Sequence, residues 1–261
     1  MVCGGSVSRP VFACLGDSIT SDQVTGIGTV VARKLDAQLL GNFACGYATC
    51  SDWHAGEANF SPISLTVPDN TNTADNVLSN QVRRLLKAIT PKGQPVTWRH
   101  PLCGETSLTG ETGSGLGPAP DIIYIAISTN DGNQPYNLPV DDTDAVLRLP
   151  YTMLTRNSMA SALRWAIETL QSACPYAQLF VATPLQTWTD LPWMSYETML
   201  VKRNIIVKVC RALGVKVIDS FYESGFSRLI AKDHGEVHPD DGWKENIASF
   251  VAARIKASVT L

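Results

Sequence analysis

Apolar and polar positions along this 261-residue chain fall into blocks that predict strands and helices in alternation. Short, nearly continuous apolar runs are typical of strands buried on both faces. Five such runs occupy residues 10–16, 42–49, 121–127, 178–184 and 215–220. Apolar residues at helical spacing occur over residues 28–41, 74–90, 142–172, 195–214 and 243–258, and Gly41 and Gly214 are expected to end two of these helices. The alternation predicts an α/β protein, with a parallel sheet covered by helices on both faces as a three-layer α/β/α sandwich.

One stretch interrupts this alternation. Residues 53–73 are rich in Ser, Pro, Asn and Thr, and residues 91–120 are rich in Gly and Pro. We interpret the region of about 53–118 as a loop-rich insertion that could include a short hairpin. Because the chain shows neither an internal repeat nor a linker, we expect a single domain over residues 1–261.

Composition narrows the possible partners. The net charge is −3 and the basic residues are scattered, so no basic patch for nucleic acid is expected. No apolar run reaches the roughly 18 to 20 residues of a membrane span. No apolar run precedes Pro10, so the N-terminus is not read as a secretory signal. We expect either an intracellular protein or one whose targeting segment has been removed.

The seven cysteines include no Cys-x-x-Cys pair. An odd number at irregular spacing argues against a zinc site or a disulfide framework. Cys14 and Cys45 lie in apolar runs and are expected to be packed thiols. A bridge between Cys45 and Cys50 would require an oxidising compartment.

Polar residues follow several predicted strands at the edge where ligands bind in open α/β sheets. They are "GDSIT" at 16–20, "GYATC" at 46–50 and "STND" at 128–131, and "GEVHP" at 235–239 precedes the last helix. Each also has a structural interpretation, since Asp17 could cap a helix, Asn130 a turn, and His238 could simply start a helix. A serine, a histidine and an amide at one edge, however, are the groups that nucleophilic catalysis requires.

These blocks, in this order, resemble those of the SGNH (GDSL) hydrolase family of esterases and lipases from residue 11 to about 255. The resemblance implies a flavodoxin-like five-stranded parallel sheet and an acyl-enzyme mechanism without metal or organic cofactor. It implies that Ser18 is the nucleophile and His238 the general base. The oxyanion hole would comprise the Ser18 N–H, the Asn130 amide and a backbone N–H from the second block.

The sequence departs from the family pattern at three positions. Ser128 replaces the glycine of the third block. In the second block either Tyr47 or Gly46 could supply the N–H. Gly235 stands where the family has the aspartate that orients the histidine, so Asp233 is our candidate orienting acid; Glu236 or a backbone carbonyl could also serve, the latter leaving a Ser–His dyad.

The expected function is hydrolysis of a short acyl ester, first of all an acetyl group on a carbohydrate, by a serine esterase. Trp53, Trp98, Trp188 and Trp193 could be platforms for sugar rings or could pack the insertion, and His54 and His100 are expected to be structural or surface residues. One alternative is a lipase or thioesterase acting on small acyl substrates. The other is a non-catalytic carbohydrate-binding or structural module on a degenerate hydrolase scaffold.

Overall fold

The computed structural model describes residues 9–52, 77–132 and 143–259. Their strands are β1 (Val11–Gly16), β2 (Gln38–Asn42), β3 (Pro95–His100), β4 (Gly104–Thr112), β5 (Ile122–Ala126), β6 (Gln178–Ala182) and β7 (Lys216–Ile218). Their helices are α1 (Ser18–Ser21), α2 (Ile27–Lys34), α3 (Leu78–Ile89), α4 (Thr143–Arg148), α5 (Met159–Ala173), α6 (Tyr196–Ala212), α7 (Ser220–Glu223), α8 (Arg228–Asp233) and α9 (Asp241–Ser258).

The main sheet contains five parallel strands in the order β2-β1-β5-β6-β7. Numbered among themselves, these strands follow the order 2-1-3-4-5, which is that of flavodoxin-like doubly wound sheets. The predicted α/β/α fold with a five-stranded parallel sheet is therefore confirmed. All five carboxyl ends lie at one edge, which is where the polar blocks of the sequence were expected to meet.

Helices cover both faces of this sheet because successive strand side chains point in opposite directions. On β1, Ala13 and Leu15 belong to a core shared with α3, α5 and α6. Phe12 and Cys14 point the other way, into a core shared with α2 and α9. The continuous apolar run of β1 is thus explained by burial on both sides.

The second strand differs from the prediction. Helix α2 ends at Lys34 and Asp36 adopts a left-handed φ of 53°, so the helix predicted over 28–41 is too long. Strand β2 then begins at Gln38, where Gly41 pairs with Ala13 of β1 instead of ending a helix. The helical spacing of the leucines at 39 and 40 misled the prediction, and the residues after Asn42 form a loop.

The helix predicted over 142–172 is divided into two. Helix α4 ends at Arg148, and Pro150 precedes a short 3₁₀ turn over Tyr151–Met153 before α5 begins at Met159. Proline disfavours helical backbone in the residue before it, which accounts for the break. The last helix begins at Asp241 because the Asp240 side chain caps it by accepting the Trp243 N–H.

The described part of the insertion consists of α3 and an antiparallel hairpin of β3 and β4. Residues 53–76 lie outside the described residues, and the division into one domain with an insertion stays a prediction. Cys14, Cys45 and Cys50 are buried, and burial raises the pKa of the Cys14 thiol. Over the described ranges, no helix combines the length and the apolar character that crossing a bilayer would take.

Candidate active site

Ser18 lies where β1 leaves the sheet and the single turn of α1 begins. Asp17 caps that turn, because its carboxylate accepts the Ile19 N–H at 3.2 Å. The same carboxylate accepts the Thr129 N–H, from the loop after β5, at 3.3 Å. Burial raises the pKa of Asp17, and these hydrogen bonds oppose the shift. Asp17 is thus a helix cap that also ties the Ser18 turn to the next loop.

A buried amide fixes the end of β1. Gln81 of α3 is 1% exposed; it accepts the Gly16 N–H at 2.7 Å and donates to the Gly16 carbonyl at 2.8 Å. Strand β2 has already ended at Asn42, and although the Cys45 N–H still donates to the Gly16 carbonyl at 3.1 Å, it is Gln81 that satisfies the Gly16 N–H. The peptide leading into Ser18 is held by α3 as a result.

Ser18 and His238 are brought together from sequence positions 220 residues apart, with Oγ 2.8 Å from Nε2. His238 belongs to the loop between α8 and α9. In this loop the Glu236 N–H donates to the Ala231 carbonyl at 2.6 Å, and the Asp240 N–H donates to the His234 carbonyl at 3.0 Å. The loop is closed on itself, and the imidazole side chain faces the serine.

The glycine at position 235 is a requirement of this loop. Gly235 has a φ of +109°, and its carbonyl accepts the His238 N–H at 2.8 Å. A Cβ at position 235 would lie 2.0 Å from the His238 carbonyl oxygen. Both the left-handed backbone and this contact exclude a side chain, so the aspartate of the family pattern cannot be accommodated in this conformation.

The structure does not bring Asp233 to the imidazole. Asp233 is the exposed last residue of α8, and Glu236 is exposed as well. Within residues 143–259, neither carboxylate makes a hydrogen bond or ion pair with His238. The role of Asp233 as orienting acid stays a prediction.

Asn130 and Tyr47 line the same cleft as Ser18 and His238. The Asn130 Nδ2 donates one hydrogen to the Ala48 carbonyl at 3.0 Å, and an amide carries a second hydrogen for a ligand. Tyr47 has a left-handed φ of 58°, whereas Gly46 does not, and Gly46 is absent from the cleft lining. Of the two second-block alternatives, Tyr47 is the one that the structure places at the cleft.

Two buried charged side chains, Asp131 and Lys202, make hydrogen bonds around the loop that contains Asn130. Asp131 accepts the N–H groups of Cys50 and Ser51 at 2.8 and 2.9 Å, and the Ser51 hydroxyl at 2.8 Å. Lys202 of α6 is 4% exposed and donates to the carbonyls of Thr129 and Trp193 at 2.9 and 2.8 Å. Burial lowers the pKa of Lys202 to about 8, while nearby carboxylates oppose the shift. The pair therefore joins the loops after β2, β5 and β6.

Neither Lys202 nor Gln81 was singled out from the sequence as a site residue. Lys202 follows Met199 and precedes Ile205 and Ile206 on the buried face of α6. Gln81 lies on a helix whose polar Ser79 and Asn80 are also buried. In both helices, the signal available from the sequence was a polar residue at a position on the apolar face.

Of the four tryptophans, the three that the structure describes do not line the cleft. Trp98 is buried in the hairpin, and Trp53 lies outside the described residues. The Trp188 ring packs against the cations of Arg228 and Lys232, with centroid distances of 4.9 and 5.2 Å. Trp188 instead supports the loop that contains His238, because its backbone N–H donates to the Glu236 carbonyl at 3.2 Å.

Trp193 and His100, which were also singled out from the sequence, do not line the cleft. The Trp193 side chain is half-buried. His100 is buried and stacks on Tyr151 with ring centroids 4.1 Å apart, in agreement with a structural role, whereas His54 lies outside the described residues. The described residues contain no group of three or more His, Cys, Asp or Glu side chains suited to a metal ion.

The cleft around these groups is open and has a volume of about 330 Å³. Leu191, Met194 and Val237 give it an apolar wall beside Ser18. A hydroxyl next to an imidazole, a side-chain amide and an apolar wall form an arrangement that can activate an oxygen nucleophile and stabilise an adjacent oxyanion.

No protein-family model and no curated protein matches the sequence. Solved structures do match over nearly the whole chain. A lipase/acylhydrolase from Enterococcus faecalis has a TM-score of 0.57 at 14% identity, covering 96% of this chain and 97% of its own. A family two carbohydrate esterase from Cellvibrio japonicus has a TM-score of 0.51 at 17% identity, covering 96% of this chain and 62% of its own.

A third structure, from Corynascus thermopiles, contains a carbohydrate esterase family 2 enzyme with a carbohydrate-binding domain. Its TM-score is 0.56 at 15% identity, and the match covers 98% of this chain and 68% of that one. At such low identity these likenesses show the fold. They agree with the α/β/α fold predicted from the sequence.

The buried position of Lys202 generates a prediction about stability. Replacing it as Lys202→Met leaves two carbonyls without a donor and removes the positive charge that acts on buried Asp131, so we expect a loss of about 2–4 kcal/mol in the free energy of unfolding. Urea denaturation measures this loss. The control is Lys208→Met on the same helix, whose exposed ion pair with Asp144 is expected to contribute less than about 1 kcal/mol. Equal stabilities of the two variants would contradict the role of Lys202.

Proposed function

We propose that this chain is a serine esterase that hydrolyses short acyl esters through a Ser18–His238 acyl-enzyme mechanism. The observation that carries the proposal is the 2.8 Å contact between Ser18 Oγ and His238 Nε2 inside the cleft. A serine hydroxyl is a weak nucleophile, and a neighbouring imidazole is the base that activates it. The ester-hydrolysing enzymes among the structural neighbours support the same reaction class.

In the proposed first step, Nε2 of neutral His238 removes the proton of Ser18 while Oγ attacks the ester carbonyl carbon. The carbonyl π electrons move to the oxygen, where the Asn130 amide and the N–H groups of Ser18 and Tyr47 would donate hydrogen bonds. The tetrahedral intermediate collapses, and the alcohol leaves with the proton from His238. Water then attacks the acyl-enzyme with the same base, releasing the acid and restoring Ser18.

A short acyl group, first of all acetyl, fits this cleft. The apolar wall of Leu191, Met194 and Val237 is small, and the cleft volume of about 330 Å³ must also hold part of the leaving alcohol. Carbohydrate esterases occur among the structural neighbours, and we take an acetylated sugar as the first substrate to test.

Active-site labelling tests the nucleophile. We expect a fluorophosphonate probe to label the wild-type protein and Ser21→Ala, but not Ser18→Ala, because only the Ser18 hydroxyl lies against His238. Ser21 is the matched control, since it belongs to the same helical turn and its hydroxyl bonds to the Ser18 carbonyl. Gel detection of the label provides the measurement. Equal labelling of wild type and Ser18→Ala would reject the esterase, and an unlabelled wild type that binds sugars would favour a non-catalytic module.

A series of p-nitrophenyl esters tests the acyl length. We expect kcat/KM to be highest for acetate and to fall as the chain lengthens, because the apolar wall consists of three side chains. Initial rates of p-nitrophenol release give the comparison. A preference for chains of eight or more carbons would instead indicate a lipase.

Replacement of Asp233 tests whether this residue is the acid that orients His238. Since Asp233 is exposed and makes no contact with His238, we expect Asp233→Asn to change kcat by less than about twofold, whereas loss of a true triad carboxylate costs roughly 10⁴-fold. The measurement is kcat for p-nitrophenyl acetate across the pH range. A loss of 100-fold or more would identify Asp233 as the group that orients the imidazole.

A further inference from the structure

Backbone strain is concentrated at the candidate active site. Four non-glycine residues of the described ranges adopt a left-handed backbone: Asp36, Tyr47, Arg156 and Glu236. Two of them, Tyr47 and Glu236, line the cleft, on the loops after β2 and α8 respectively. A left-handed conformation is unfavourable for residues with a Cβ and worst for bulky ones, and such residues cluster at functional sites.

The proposed oxyanion role of Tyr47 does not explain its side chain. A peptide N–H is the same in every residue except proline, and glycine would supply it in this conformation without the steric cost. The Tyr47 ring is nevertheless at the cleft and 67% exposed. Apart from His238, it is the only aromatic side chain among the described residues that line the cleft. What the ring offers is an exposed aromatic surface in the same cleft as Ser18.

Glu236 contributes a carboxylate to the same cleft. Its backbone is fixed through the N–H to Ala231 and the carbonyl to Trp188, at 2.6 and 3.2 Å. Its side chain is exposed and, within the described ranges, makes no hydrogen bond of its own. A carboxylate accepts hydrogen bonds only, so it favours hydroxyl groups and disfavours an anionic ligand.

An aromatic face and a hydrogen-bond acceptor are the two features that recognise a sugar ring, which has a face of C–H groups and an edge of hydroxyls. We propose that Tyr47 and Glu236 form the leaving-group subsite for a neutral acetylated sugar, with the ring stacked on Tyr47 and its hydroxyls donating to Glu236. The proposal rests on the proposed esterase function.

The experiment compares two acetate esters, acetylated methyl glucoside and ethyl acetate, by release of acetate. The readout is the ratio of kcat/KM for the sugar ester to that for ethyl acetate. We expect Tyr47→Gly to lower this ratio roughly tenfold through KM, because stacking on an aromatic ring contributes about 1 kcal/mol or slightly more. Glu236→Gly should lower the ratio as well, whereas Tyr47→Phe, which keeps the ring, should retain it.

The matched control is Asp36→Gly, which relieves the same backbone strain away from the cleft. It should leave both activities unchanged. The Tyr47→Gly and Glu236→Gly variants should not have lower melting temperatures than the wild type, because glycine tolerates the left-handed backbone.

The outcomes separate the subsite from the reaction. A lower ratio in both cleft variants with unchanged melting temperatures supports the subsite. An unchanged ratio, or an equal loss on both esters, overturns it while leaving the esterase intact. If the wild type releases acetate from neither ester, the proposed function itself is wrong.

Discussion

The placement of two oppositely charged side chains, Asp131 and Lys202, in the protein interior is the constraint on which the candidate active site depends. Asp131 and Lys202 form hydrogen bonds with backbone groups of three different loops. Burying charges is costly unless they are paired and fully hydrogen-bonded, so each loop must keep its conformation for the pair to be satisfied. The sheet brings the loops to one edge, and the hydrogen bonds of Asp131 and Lys202 fix the positions of these loops relative to one another.

The fold was predictable because its main signals are local. Apolar runs identified the strands buried on both faces, and the order of the polar blocks identified the edge at which they meet. The boundaries of the second strand were not predictable, because Leu39 and Leu40 suit a helix as well as a strand. Pairing of Gly41 with Ala13 of β1 decides between them, and that pairing is a tertiary contact.

The site was predictable only in part, for a related reason. Ser18, Asn130 and His238 occur in motifs, whereas Gln81 and Lys202 act from helices remote in sequence. A polar side chain on an apolar helical face indicates a buried hydrogen bond, but the sequence does not identify the partner in that bond. The tryptophans show the converse, because a loop position near the sheet edge did not reveal that the Trp188 ring faces Arg228 and Lys232.

The turn at Gly235 has a consequence for how this candidate active site could change. With a Cβ excluded there by the His238 carbonyl, a carboxylate cannot be gained at this position by one substitution. A natural or engineered variant with a triad would need a loop of different length or path, or an acid from another element of the fold. A change between a Ser–His dyad and a triad with its acid at position 235 would therefore require the backbone of this loop to be remodelled.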